Sequence, residues 1–162
     1  MGLSALAAIL LGGCAGQGGG GGSLPSPSGE GTLRWSGSLK PTTQRKGDLG
    51  MADQARAFGT VMLTRSASDP ERTDVRITIS TPASAAGNFL PWAMLPGRCG
   101  SGAVPLMSLE QFGQIDVGTN SRGELRTSLA LPLPESGTYH ANVYWPRGSQ
   151  LSDVMTCANL ER

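Results

Sequence analysis

The sequence predicts an all-β domain, an antiparallel Greek-key β-sandwich of about eight strands, behind a disordered N-terminal tether. Three observations predict it. Apolar residues recur with period two in one short stretch after another from residue 31 onward, the pattern of half-buried strands. Turn-forming clusters separate those stretches at short intervals. The chain holds 24 Gly and 11 Pro among 162 residues, which favours strands and turns over helices, and no helical stripe is sustained.

The first element is an apolar leader, residues 3–11, that ends in Gly12-Gly13-Cys14. It is too short to span a bilayer, which takes about 20 apolar residues. Residues 15–30 are Gly, Ser and Pro with little else, a flexible linker by composition. A chain of that length has a root-mean-square span of roughly 20–25 Å. Its glycine run is not followed by Gly-Lys-Ser/Thr and opens no helix, so it is no phosphate loop.

The domain proper covers residues 31–162. Leu33, Trp35 and Leu39 alternate with Arg34, Ser36 and Lys40 in the first strand. Val61 and Leu63 mark the second, and Val75, Ile77 and Ile79 the third and clearest. Leu125, Thr127, Leu129 and Leu131 mark another. Tyr139, Ala141, Val143 and Trp145 mark another, with His140, Asn142 and Tyr144 on its polar face. Shorter stretches at 89–95, 104–109, 112–117 and 154–160 bring the count to eight or nine. The turns are Ser68-Asp69-Pro70, Thr119-Asn120-Ser121-Arg122-Gly123, Pro134-Glu135-Ser136-Gly137 and Pro146-Arg147-Gly148. The stretch 41–53 reads as an irregular loop and 54–58 as a possible helical turn. Strands this short and this regularly spaced build a sandwich or a barrel, and the expectation is a sandwich.

The apolar leader, the Gly-Gly-Cys and the tether together resemble the lipobox of bacterial lipoproteins. The resemblance implies a signal peptide at 1–13, cleavage before Cys14, and acyl chains, palmitate among them, on Cys14. The basic start of a secretory signal is missing, because Met1-Gly2 runs directly into apolar residues. Position 6 is Leu, so an N-myristoylation start is not met either. Residue 15 is Ala rather than Asp, which in this family implies the outer membrane. The implied partner is the lipid bilayer, reached through Cys14. With Cys14 acylated, Cys99 and Cys157 remain as an even pair in an oxidising compartment, and they are expected to form a disulfide. The loop they close would stabilise the fold by roughly 4 kcal/mol in the chain-entropy model.

A second resemblance covers about residues 57–160. Gly97-Arg98-Cys99, Pro105-Leu106, the turn 118–123, the Leu-rich stretch 125–131, Gly137-Thr138-Tyr139-His140-Ala141-Asn142-Val143 and Cys157-Ala158-Asn159-Leu160 follow one another. This order resembles the CHRD domain and the related copper/zinc superoxide dismutase-like β-sandwich. That group often carries a His-x-His pair before the Gly-x-Cys and a further His after the Asn-Val. Here those positions are Ala93, Leu95 and Tyr144, none of which binds copper or zinc as imidazole does. The resemblance therefore implies the scaffold without metal, cofactor or dismutase activity.

The other chemistry-bearing residues read as structural. His140 is the single histidine; on the polar face of a strand it reads as solvated, and no nucleophile-elbow pattern surrounds any serine. Met51, Met62, Met94, Met107 and Met155 lie in separate segments, as core residues do, rather than clustered as soft copper ligands. Asp69 and Glu71 flank a turn proline and lack the further oxygens a calcium site needs. Thirteen Lys and Arg against twelve Asp and Glu, a net charge of +1, give no electrostatic case for nucleic acid. Trp92 and Trp145, each beside a proline, with Tyr144, are the candidate binding patch at one end of the domain, alternatively core. The function expected is that of a non-enzymatic envelope lipoprotein with a binding or structural domain. Two alternatives stand beside it: an unusual metalloprotein using His140, methionines or carboxylates, and a subunit docking an envelope protein through its tryptophan end.

Overall fold

In the computed structural model the described residues are 33–42, 57–146 and 153–162. Cys14, the residue expected to carry lipid, the tether, Met51, residues 43–53 of the loop expected at 41–53 and residues 54–56 of the helical turn expected at 54–58 all lie outside them. Eight strands form: β1 (Arg34–Pro41), β2 (Phe58–Arg65), β3 (Thr73–Ser80), β4 (Phe89–Pro96), β5 (Gln114–Val117), β6 (Arg122–Leu129), β7 (Tyr139–Tyr144) and β8 (Val154–Leu160). A single turn of 3-10 helix, Ala83–Ala85, and a short helix α1, Leu109–Phe112, complete the described elements.

Every neighbouring pair is antiparallel, in the order β1-β2-β3-β6-β5-β4-β7-β8, and β8 returns to β1. The order is Greek key, because β4, β5 and β6 lie side by side while β3 closes on β6 and β7 on β4. The architecture corrects the expected sandwich: the eight strands close into a barrel. Two strands make the closure by changing partner along their length. β1 gives Arg34 to Leu39 to β2 and Lys40 and Pro41 to β8. β4 gives Phe89 to Pro91 to β5 and Trp92 to Pro96 to β7. Strands that switch partners at corners join what would be two facing sheets.

Gly37 makes the first corner possible. A Cβ there would collide with the Asn159 carbonyl of β8 and sit 3.1 Å from the Ala158 Cβ. Ser36 and Glu161 exchange backbone hydrogen bonds of 2.8 Å beside it, so the crossing is stitched where the side chain is missing.

The interior is filled by side chains. Trp35, Leu39, Leu63, Ile77, Ile115 and Val143 are all buried, and the alternation read from the sequence points them inward. The 130–138 connection closes one end, where Trp35 Nε1 donates to the Pro134 carbonyl at 2.7 Å and meets Tyr139 edge-on at 5.5 Å. α1 packs on β4 through Phe112, whose ring lies 5.0 Å from Trp92.

One predicted strand does not form. The stretch at 104–109 runs as irregular chain into α1. Pro105 cannot donate to a ladder. Leu106 N–H instead donates to the Met94 carbonyl at 3.0 Å, and Gln111 Oε1 accepts from Ser108 N–H at 3.2 Å to open the helix.

Candidate functional site

β7 is the unusual strand. His140, Asn142 and Tyr144 face outward, yet they are only 1%, 8% and 2% exposed. The solvated polar face expected for His140 is therefore corrected. The cover is the segment after β4, which folds back across the outer face of β4, β7 and β8. Register explains its position: Cys157 on β8 stands opposite Asn142, and Asn159 opposite His140. Cys99 is bonded to Cys157, with Cα atoms 6.0 Å apart, so the predicted disulfide forms and pins the segment over that face.

Three further hydrogen bonds fasten the same segment. Cys99 N–H donates to Asn159 Oδ1 at 2.9 Å. Gly97 N–H donates to the Thr138 carbonyl at 2.8 Å. His140 Nδ1–H donates to the Gly97 carbonyl at 3.0 Å. A carbonyl only accepts, so in the neutral imidazole the proton sits on Nδ1 and Nε2 is left as an acceptor.

The cover does not fill the space beneath it. A cleft of about 600 Å³ remains, within the usual range of small-molecule sites. Its polar floor is His140, Asn142 and Tyr144; Leu95, Ala103, Val104 and Val154 make apolar walls. No Asp, Glu, Lys or Arg is among the described residues that line it. The Tyr144 hydroxyl is buried, and no hydrogen bond of ordinary geometry reaches it among the described residues. Burial raises its pKa above the ordinary 10.0, with the side chain of Asn142 opposing the shift. Leaving such a donor unsatisfied costs about 1–3 kcal/mol.

A larger cleft, about 860 Å³, lies over the outer face of β1, β2 and β3. Arg34, Ser38, Lys40, Thr60 and Arg76 line it, and none of its polar side chains is buried. It is a solvated wall. The neighbouring charges behave likewise: Arg126 and then Arg76 hold the exposed Glu124 carboxyl below its ordinary pKa. The smaller cleft is the stronger candidate because its polar groups are withdrawn from water.

No family model, curated protein or solved structure matches this chain. Assignment therefore rests on the residues themselves. Trp92 is fully buried inside the barrel, where its Nε1 donates to the Phe112 carbonyl at 3.1 Å. Trp145 is also buried, 4% exposed. The two tryptophans thus present no exposed aromatic patch, and of the three residues expected to bind only Tyr144 lines the cleft. Ala93 and Leu95 stand opposite Asn142 and His140, on the same outer face as Tyr144. Ala93, Leu95 and Tyr144 therefore share one wall here, an alkyl, alkyl and phenol set. Among the described residues no three His, Cys, Asp or Glu gather closely enough to hold a metal ion. Met94 and Met155 are buried, while Met62 and Met107 are partly so. At the Ser68-Asp69-Pro70 turn, Asp69 Oδ1 accepts from Glu71 N–H at 2.9 Å, which is turn chemistry.

Tyr144 and His140, two separate residues of one strand in the sequence, line a single cleft beneath the 97–104 segment. A signal was present. Once Cys157 belongs to a strand beside β7, a bond to Cys99 must carry the glycine-rich stretch from Gly97 to Gly102 over the face that holds His140 and Tyr144.

Proposed function

We propose that this chain is a lipoprotein of the cell envelope, anchored through acylated Cys14 and facing the periplasm or the cell surface from the outer membrane. Its barrel is a binding domain rather than an enzyme. The observation that carries the anchor is the disposition of the cysteines. The disulfide uses Cys99 and Cys157, and the third, Cys14, stands directly after an apolar run and Gly-Gly and before a Gly/Ser/Pro tether. A lone thiol in an exported chain is anomalous unless it is modified. Two acyl signals suffice for stable membrane attachment, whereas one chain binds only marginally.

The binding role is supported by the cleft over β7, which is walled, uncharged and floored by withheld polar groups. The CHRD-like, superoxide dismutase-like relationship is supported by the disulfide, which joins the Gly-x-Cys and Cys-x-x-Leu segments that carry the resemblance. The absence of histidine at Ala93, Leu95 and Tyr144 separates the chain from the dismutases in chemistry.

Growth with labelled palmitate tests the anchor. Label is expected in the wild-type chain, with recovery in the membrane fraction. Cys14→Ser is expected to lose both. Label retained by the variant, or none in the wild type, would sink the proposal.

A further inference from the structure

We infer that the cleft between β7 and the segment 97–104 is a binding site for a small uncharged molecule that presents a hydrogen-bond acceptor to the Tyr144 hydroxyl. This rests on reading the barrel as a binding domain, and not on the lipid anchor.

Four observations lead there. First, the cleft is built. Its cover is fixed at one end by the disulfide and by hydrogen bonds from Cys99 N–H to Asn159 and from His140 to the Gly97 carbonyl. Second, the polar floor lacks internal partners where it matters. The Asn142 side chain neighbours the buried Tyr144 oxygen and favours its ionised form, as a donor does, so the hydroxyl proton itself finds no acceptor of ordinary geometry among the described residues. Third, the lining defines the ligand by exclusion. No Asp, Glu, Lys or Arg among the described residues lines the cleft, so a carboxylate, phosphate or ammonium would leave water without a carboxylate, ammonium or guanidinium to pair with. A carbonyl or amide loses less on entry, and its apolar body has Leu95, Ala103, Val104 and Val154 to lie against.

Fourth, the cover can give. In this state the Tyr144 hydroxyl is closed off, so a ligand must displace part of the wall to reach it. Beyond the disulfide, Gly100 and Gly102 both hold positive φ, 84° and 67°, and a Cβ at Gly102 would meet nothing within 4 Å. Val104, at the rim, is 77% exposed. The stretch 100–104 is thus small, loosely packed and hinged on residues with wide backbone freedom, while the base at 97–99 stays pinned.

Titration of the full chain, in detergent, with three isosteric probes followed by NMR decides the matter. Benzamide is neutral and carries an acceptor oxygen; benzoate and benzamidinium have nearly the same shape and opposite charges. Benzamide is expected to bind at least about tenfold more tightly than either ion, the discrimination expected when a charge enters a site without a partner. Its shifts are expected at Tyr144, His140 and the amides of 100–104. Tyr144→Phe removes only the hydroxyl and is expected to weaken benzamide about five- to tenfold while keeping the fold. Val104→Arg, on an exposed rim residue, is expected to reverse the preference toward benzoate. Equal affinity for the three probes, no binding, shifts confined to another face, or an unchanged benzamide affinity in Tyr144→Phe would overturn the inference. None of these results would touch the palmitate experiment, so the site and the anchor fail separately.

Discussion

Tyr144 concentrates the energetics of the candidate site in one oxygen. Its hydroxyl is out of water without a well-formed hydrogen bond, and its pKa is raised by burial. The sign of the consequence follows from linkage. As pH rises past the ordinary value of 10.0, the unfolded chain releases this proton before the folded one does. The native state then binds more protons than the unfolded state, and stability falls with pH. Unfolding followed from pH 9 to 11 is therefore expected to show a steeper loss for the wild type than for Tyr144→Phe. Parallel curves would contradict that assignment. Near neutral pH the phenylalanine variant is expected to be as stable as the wild type or up to about 1 kcal/mol more so, because it removes an unsatisfied donor without opening a cavity. His140 is the other residue whose environment differs from its sequence reading. Alternation placed it on a polar face correctly, but periodicity reports which face a residue occupies and says nothing about whether a distant segment covers that face. The cover comes from residues 97–104, more than thirty positions away in the chain.

Among the elements, β1 and β4 decide the architecture. Alternation marked β1, β2, β3, β6 and β7, and the shorter stretches marked β4, β5 and β8; all eight lie within about three residues of those stretches, β6 starting at Arg122 inside the turn expected at 119–123. β5 is the shortest at four residues and was expected to start at Phe112, which α1 takes instead. Pairing was not legible. Whether a strand's second edge is free or bonded depends on how the strand bends, and bending is set by a few close approaches that leave no periodic trace. Gly37 is such an approach, since only a residue without Cβ passes the Asn159 carbonyl. Gly37→Ala is expected to destabilise the barrel by about 1–3 kcal/mol, the usual cost of forcing extra atoms into a packed site. Chemical denaturation measures it, and hydrogen exchange should locate the loss at the β1–β8 seam. A neutral substitution would mean that β1 reaches β8 by some other geometry.

On the scale of the whole molecule, the disulfide links β8 to the connection between β4 and β5 across 58 positions of sequence. In the chain-entropy account, closing a loop of that size stabilises by about 4 kcal/mol, a large share of the 5–15 kcal/mol typical of a domain. Replacing Cys99 and Cys157 together by Ser is expected to lower stability by about that amount. It should also release protection of the Leu95 and His140 amides beneath the cover. A loss below about 1 kcal/mol would show that the cover holds through its hydrogen bonds alone. The bond itself was foreseen from cysteine arithmetic. What the arithmetic could not supply was its second effect, the shaping of a cleft, because that depends on Cys157 sharing a register with Asn142.

The closed strand order has a consequence for the membrane anchor proposed above. Molecules held to one membrane by short tethers collide side by side, in two dimensions, at high local concentration. An open sheet in that setting offers its unpaired backbone to each neighbour and invites polymerisation into a shared sheet. Here β1 and β8, which a sandwich would leave as margins, bond to each other. Copies anchored as proposed would meet, at this place on the described strands, a seam already paired rather than an open sheet margin.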